Sequence, residues 1–111
     1  MTEANSKINL TVVLRGFDGK ELNDGQGSAW TLRAVLQAAL ARPQSPKPGE
    51  DVLRFAARVA ALFRLGKRVA DEDEIALTAE QVADLKRAIA ELQASPVICG
   101  QAIVMLDPHT E

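Results

Sequence analysis

Cysteine, aromatic residues and long apolar runs are all scarce in this chain of 111 residues. Its single cysteine, Cys99, cannot form an intrachain disulfide and fits a reducing compartment. No stretch approaches the roughly 20 consecutive apolar residues of a membrane-spanning helix. The polar N-terminus lacks the basic-then-apolar order of a secretory signal, so the expected location is the cytoplasm.

Aromatic side chains make up only 4% of the residues, whereas alanine occurs eighteen times. Apolar residues still reach 47%, which is enough for a core, and the length predicts a single domain over residues 1–111. A core rich in alanine is thin and is often supplemented by association between copies, so a homo-oligomer is expected. The formal net charge of -2 provides no basic field that would attract nucleic acid.

Apolar side chains alternate near the N-terminus, where residues 7–14 predict a half-buried strand. Asp18-Gly19 is a common hairpin turn signal, and it predicts a short return strand at 21–23. Residues 1–6 are polar and are expected to be disordered.

Helical spacing of apolar residues recurs through the rest of the chain. Four helices are predicted, at about 32–42, 51–65, 79–94 and 97–106. Gly66 is expected to end the second of them, and Ser95-Pro96 to open the fourth. The proline-rich segment 43–49 predicts a mobile loop, and residues 107–111 predict a frayed tail.

The best-marked helix start is at Thr78. In a capping box, the Thr78 hydroxyl accepts from the Gln81 amide while the Gln81 side chain reaches back to the Thr78 amide. Leu77 and Val82 stand where the flanking hydrophobic staple belongs.

The second helix has an unusually wide apolar arc. At 100° per residue its apolar side chains cover about half of the circumference, which is more than a surface helix needs. We therefore expect a mainly α protein of the α+β type, in which an N-terminal β-hairpin packs on about four helices and the second helix is central.

Two oppositely charged groups of residues follow one another along the chain, and they are the candidate partner-binding surface. The basic group is Arg54, Arg58, Arg64, Lys67 and Arg68, and the acidic group is Asp71, Glu72, Asp73 and Glu74. The arginines and lysines could instead contact phosphates, as in a small nucleic-acid-binding regulator, or they could form a solvated outer face. No aromatic residue is interleaved among them for base stacking.

No constellation of residues points to catalysis, a cofactor or a metal. The acidic run lacks the turn glycine and the spaced final glutamate of an EF-hand loop. Cys99 and His109 would form a nucleophile pair only if the tail folded back over the last helix. Phosphate-loop, serine-elbow and dinucleotide motifs are absent from the sequence, so no catalytic, cofactor-binding or metal-binding residue is predicted.

The order of these signals resembles a set of small bacteriophage and prophage proteins, most of them without assigned function. The resemblance is carried by Phe17-Asp18-Gly19-Lys20, Thr31-Leu32, Leu77-Thr78-Ala79-Glu80, Pro96-Val97 and Gly100-Gln101-Ala102. The proline loop and the arginine-bearing helix depart from that pattern. The resemblance implies a non-enzymatic accessory protein that binds another protein, of the phage or of the host. It would be a virion or assembly component or an inhibitor of a host defence system, located in the host cytoplasm or the virion.

Overall fold

Helices dominate the computed structural model, which describes residues 7–23, 25–92 and 96–108. In those residues the helices are α1 (Leu32–Ala41), α2 (Val52–Asp71), α3 (Ala79–Ala90) and α4 (Gln101–Leu106). A π-helical turn, Pro96–Gly100, leads directly into α4. The predicted class, mainly α with a small β element near the N-terminus, is confirmed. The predictions for residues 1–6, for Ser95 and for 109–111 lie outside the described residues.

A two-stranded antiparallel sheet joins distant parts of the chain. Strand β1 (Lys7–Asn9) pairs with β2 (Glu74–Ala76), so that Ile8 lies opposite Ile75. The strand predicted for residues 7–14 is interrupted after Asn9, because the Asn9 side chain accepts hydrogen bonds from the Thr11 amide at 2.9 Å and the Thr11 hydroxyl at 2.7 Å. Such a turn draws the backbone out of the ladder.

Beyond that turn, three short segments bond to one another in a ring. Leu14 donates its amide hydrogen to the Trp30 carbonyl, Trp30 donates to Leu22, and Leu22 donates to Leu14, at 2.8, 2.9 and 3.0 Å. The predicted hairpin about Asp18-Gly19 forms one side of this ring, through the bridge between Arg15 and Glu21. Leu14 is fully buried and belongs to the hydrophobic core.

The central helix is α1, and the prediction that the second helix is central is wrong. Leu32, Val35, Leu36 and Ala39 of α1 are all buried, and α1 packs against both α2 and α3. By contrast, α2 buries only Leu62, Leu65 and Val69 over its 20 residues. Its wide apolar arc is divided between the core and the solvent.

Helix boundaries follow the caps more closely than the glycines. Asp51 begins α2 by accepting the Arg54 amide at 2.8 Å, and the helix continues through Gly66 to Asp71. Gly66, predicted to end the helix, instead lies in its interior, where an added Cβ would meet only the Leu40 Cδ1 atom at 3.7 Å. The third helix ends at Ala90, before the predicted 94, with Glu91 as its C-cap.

Candidate functional site

The most unusual surface of the described protein is an exposed apolar face on α2. Four of the seven large hydrophobic residues exposed in the described part of the chain lie on this one helix. Val52 and Leu53 are 80% and 81% exposed, and Phe63 is 67% exposed. With three further exposed residues they form what we call the outer stripe: Val52, Leu53, Ala56, Val59, Phe63 and Ala70.

The outer stripe and the buried face of α2 lie on different sides of the helix. At 3.6 residues per turn, the stripe is centred roughly 120° from the direction of Leu62, Leu65 and Val69. Because the core packs against only one of these two sides of the helix, the outer stripe remains exposed to solvent. Contiguous exposed apolar surface of this kind marks interaction sites in proteins.

Arg58 does not belong to an outer basic face, and the prediction that placed it there is wrong. Its side chain is only 9% exposed and forms an ion pair with Glu50, whose side chain is 10% exposed. The Arg58 Nε atom donates to Glu50 Oε2 at 2.9 Å, and Nη2 donates to Glu50 Oε1 at 3.0 Å. The same Nη2 donates to the Ser45 carbonyl at 2.9 Å, so Arg58 holds the proline-rich loop against α2.

Glu50 is the common partner in the contacts that anchor the proline-rich loop to α2. Besides Arg58, it accepts the backbone amide of Lys47 at 2.8 Å. The hydrogen bond from Arg58 and then that from the Lys47 amide lower the pKa of Glu50 from 4.5 to about 2, and the Glu50 carboxylate in turn raises the pKa of Arg58. Lys47 also reaches α3, where its Nζ atom lies 3.2 Å from Asp84 Oδ1. The loop predicted to be mobile is thus tied to two helices.

Acid should remove the contribution of this anchor to stability. A carboxylate with a lowered folded-state pKa stabilises the native state above its unfolded value, near 4.5, and this stabilisation disappears as the pH falls towards about 2. We therefore expect Glu50→Gln to be less stable than the parent at pH 7, and the gap in free energy of unfolding to narrow across that window. Urea titrations of the parent and the variant at several pH values measure this difference in free energy of unfolding. Exposed Glu80, replaced in the same way, is the control, and a gap that stays constant with pH would contradict the expectation.

The acidic run and Arg68 form the corner between α2 and β2. Arg68 donates to the Ala76 carbonyl at 3.2 Å and lies 3.5 Å from Glu72 Oε2. The Asp73 carbonyl accepts a hydrogen bond from the Leu10 amide at 2.7 Å, and the Asp73 carboxylate forms an ion pair with Arg33. Glu74 lies in β2, opposite Asn9 of β1. These predicted site residues hold the fold together through their backbone or side chains.

Four of the predicted site residues remain exposed on α2. They are Arg54, Arg64, Lys67 and Asp71. Because Arg54 and Lys67 are 13 positions apart, they point about 140° away from one another around the helix. The structure therefore brings Glu72 close to Arg68, but it does not gather the predicted cations on one face.

A polar groove lies between the proline-rich loop, the first half of α2 and the start of α3. Its volume is about 630 Å³, and its charged lining includes Lys47, Glu50, Arg58 and Asp84. These four are already joined as two ion pairs. The Thr78 hydroxyl at its edge caps α3. The groove walls are thus held by contacts within the protein.

Clusters of metal ligands and membrane-spanning helices are both absent from the described residues. Across 7–23, 25–92 and 96–108, no three histidine, cysteine, aspartate or glutamate side chains are grouped as metal ligands. None of the helices described is both long and apolar enough to span a membrane. Cys99 is a buried free thiol, and its candidate partner His109 falls outside the described residues.

The outer stripe is the surface that the sequence interpretation missed, although a signal for it was present. The wide apolar arc was assigned to a single buried face, when it consists of two faces. Comparison with known proteins adds no further guide, since no family model, curated protein or solved structure matches the chain.

Proposed function

We propose that this protein is a non-enzymatic bacteriophage or prophage accessory protein that acts by binding protein, as an oligomer, through the outer stripe of α2. The observation that carries the proposal is the exposure of Val52, Leu53 and Phe63 on a helix that is otherwise anchored to the core. Burying large apolar side chains of this kind is the main favourable term in protein association.

The phage assignment is supported by the resemblance of the capping and packing residues alone. It covers two roles, a virion or assembly component and an inhibitor of a host defence system. Either role places the protein in the host cytoplasm, or in the assembled virion. Both require a stable surface that recognises protein, and the outer stripe supplies one.

A nucleic-acid-binding function would use Arg54, Arg58, Lys67 and Arg68 together. In the structure Arg58 is paired with Glu50 and Arg68 with the Ala76 carbonyl. Because the two remaining cations lie on different sides of α2, no observation favours this second function.

Photocrosslinking tests the proposed function directly. The chain offers two exposed phenylalanines, Phe63 in the outer stripe and Phe17 at the tip of the hairpin turn, where it is 92% exposed. Each is replaced in turn by p-benzoylphenylalanine, and the protein is irradiated in infected cells. We expect a discrete protein adduct from position 63, identified by mass spectrometry, and none from position 17.

Positions 17 and 63 also provide the control and the result that would contradict the proposal. Position 17 reports nonspecific contacts made by any exposed aromatic side chain. If position 63 gave no adduct above that background in cells where phage growth depends on the protein, binding through the outer stripe would be disproved. Turnover of a substrate by the purified protein would contradict the non-enzymatic assignment.

A further inference from the structure

The outer stripe has the spacing of a helix-pairing seam. Apart from Leu53, its members recur at alternating intervals of four and three residues once half-buried Gly66 is included. The seam residues are Val52, Ala56, Val59, Phe63, Gly66 and Ala70. Two helices that pack side by side along such a repeat keep these positions facing one another over their whole length. The seam runs almost the full length of α2, or about 30 Å.

The seam also fits a reversed copy of itself. When two α2 helices run antiparallel about a two-fold axis between residues 59 and 63, each larger outer residue faces a small one, and the largest pair fills the centre. The layers are Val52 on Ala70, Ala56 on Gly66 and Val59 on Phe63 of the second copy. Because Ala56 and Gly66 have little or no side chain, the backbones can approach closely on either side of the central Phe63 layers.

Lys67 and the helix dipoles favour the same direction. Exposed Lys67 borders the second half of the seam, and exposed Asp71 ends the helix beyond it. An antiparallel copy brings the Lys67 end of one helix to the Asp51 end of the other, and it places the aliphatic stem of Lys67 along exposed Leu53. It also sets the two helix dipoles antiparallel, so that the positive end of each lies beside the negative end of the other.

From these observations we propose that a second copy of this chain covers the outer stripe, with the two α2 helices antiparallel. This inference rests on the proposed function, because it names the partner of the same surface. The core face of α2 points roughly 110° away from the seam, and the body of the protein borders the seam at Gly66, where an added Cβ would lie 3.7 Å from Leu40 Cδ1 of α1. One helix pair makes a small interface, and the dimer should therefore dissociate on dilution.

Sedimentation equilibrium of the purified protein over a wide concentration range tests the association. Phe63→Gln, at the centre of the seam, should raise the dimer dissociation constant by about tenfold or more. Phe17→Gln makes the same change on the hairpin and should leave the constant unchanged. Both sites are exposed, so circular dichroism should show an unaltered fold in each variant.

Disulfide trapping tests the direction of the helices. In a Cys99→Ala background, Val52→Cys and Ala70→Cys proteins are mixed and oxidised. The antiparallel seam predicts a disulfide between the two variants, whereas a parallel seam predicts that each variant crosslinks to itself. Self-crosslinks alone would overturn the arrangement.

A failure of this inference can be separated from a failure of the proposed function. A protein that stays monomeric at every concentration, or a dimer that ignores Phe63→Gln, would overturn self-association through the stripe. If position 63 then crosslinked to a different protein in cells, the proposed function would stand with another partner. If it crosslinked to nothing, both would fall.

Discussion

Replacing Arg33 with alanine is expected to lower the free energy of unfolding by about 2–3 kcal/mol, because its guanidinium closes the end of α2. Arg33 projects from α1 and donates to the Val69 carbonyl at 2.9 Å and to the Glu72 carbonyl at 2.6 Å. It also lies 2.8 Å from the Asp73 carboxylate, which is largely exposed and contributes less. Without Arg33, the two carbonyls at the C-terminal end of the helix lose a charged donor.

Urea denaturation measures this loss, and the chain supplies its own control. Arg64 is exposed on α2, so Arg64→Ala should change the free energy of unfolding by no more than about 0.5 kcal/mol. Amide hydrogen exchange should speed up at Glu72 and at Leu10, whose amide donates to the Asp73 carbonyl. Equal stability of the Arg33 and Arg64 variants would show that the guanidinium contacts contribute nothing.

Arg33 illustrates what local sequence patterns leave out. Within α1 alone, helical periodicity puts Arg33 away from the buried residues of that helix. Its acceptors lie 36 to 40 residues further along the chain, so no pattern within one helix could identify them. Arg58 was misplaced for the same reason, since its position depends on how Glu50 and the proline-rich loop fold back.

The helix start at Thr78, whose signals lie within a few residues of one another, was predicted correctly. Both hydrogen bonds of the Thr78–Gln81 capping box are present, at 2.9 and 3.1 Å. These interactions depend on backbone atoms three positions away, so the sequence specifies donor and acceptor together. The class of the fold followed from such local signals, whereas the burial of α1 in place of α2 depended on how whole helices pack.

The candidate site shows the same difference between local signals, which the sequence specifies, and the packing of whole helices, which it does not. The charges chosen from the sequence included Arg68 and Asp73, which hold the corner of α2 and β2, because charge alone does not distinguish a docking residue from an internal anchor. The outer stripe was visible as an excess of apolar positions on α2. Assigning that excess to solvent required knowing that α1 already fills the centre of the core.

Two leucine-to-alanine substitutions measure this difference between α1 and α2. Leu36 on α1 is completely buried, and Leu36→Ala should cost about 2–5 kcal/mol through lost apolar burial and the cavity it leaves. A domain of this size is stable by only roughly 5–15 kcal/mol, so the variant should lose a large share of its stability. Leu53 on α2 is 81% exposed, and Leu53→Ala should lie within about 0.5 kcal/mol of the parent.

The comparison has to be made on dilute protein, where self-association of α2 does not add to the stability of the parent. Urea midpoints of the two variants then report burial within one copy. Raising the protein concentration should stabilise the parent more than the Leu53 variant, because Leu53 flanks the seam that we propose for the dimer. Should Leu53→Ala cost as much as Leu36→Ala in dilute solution, α2 would be buried within the monomer and the outer stripe would not be a surface at all.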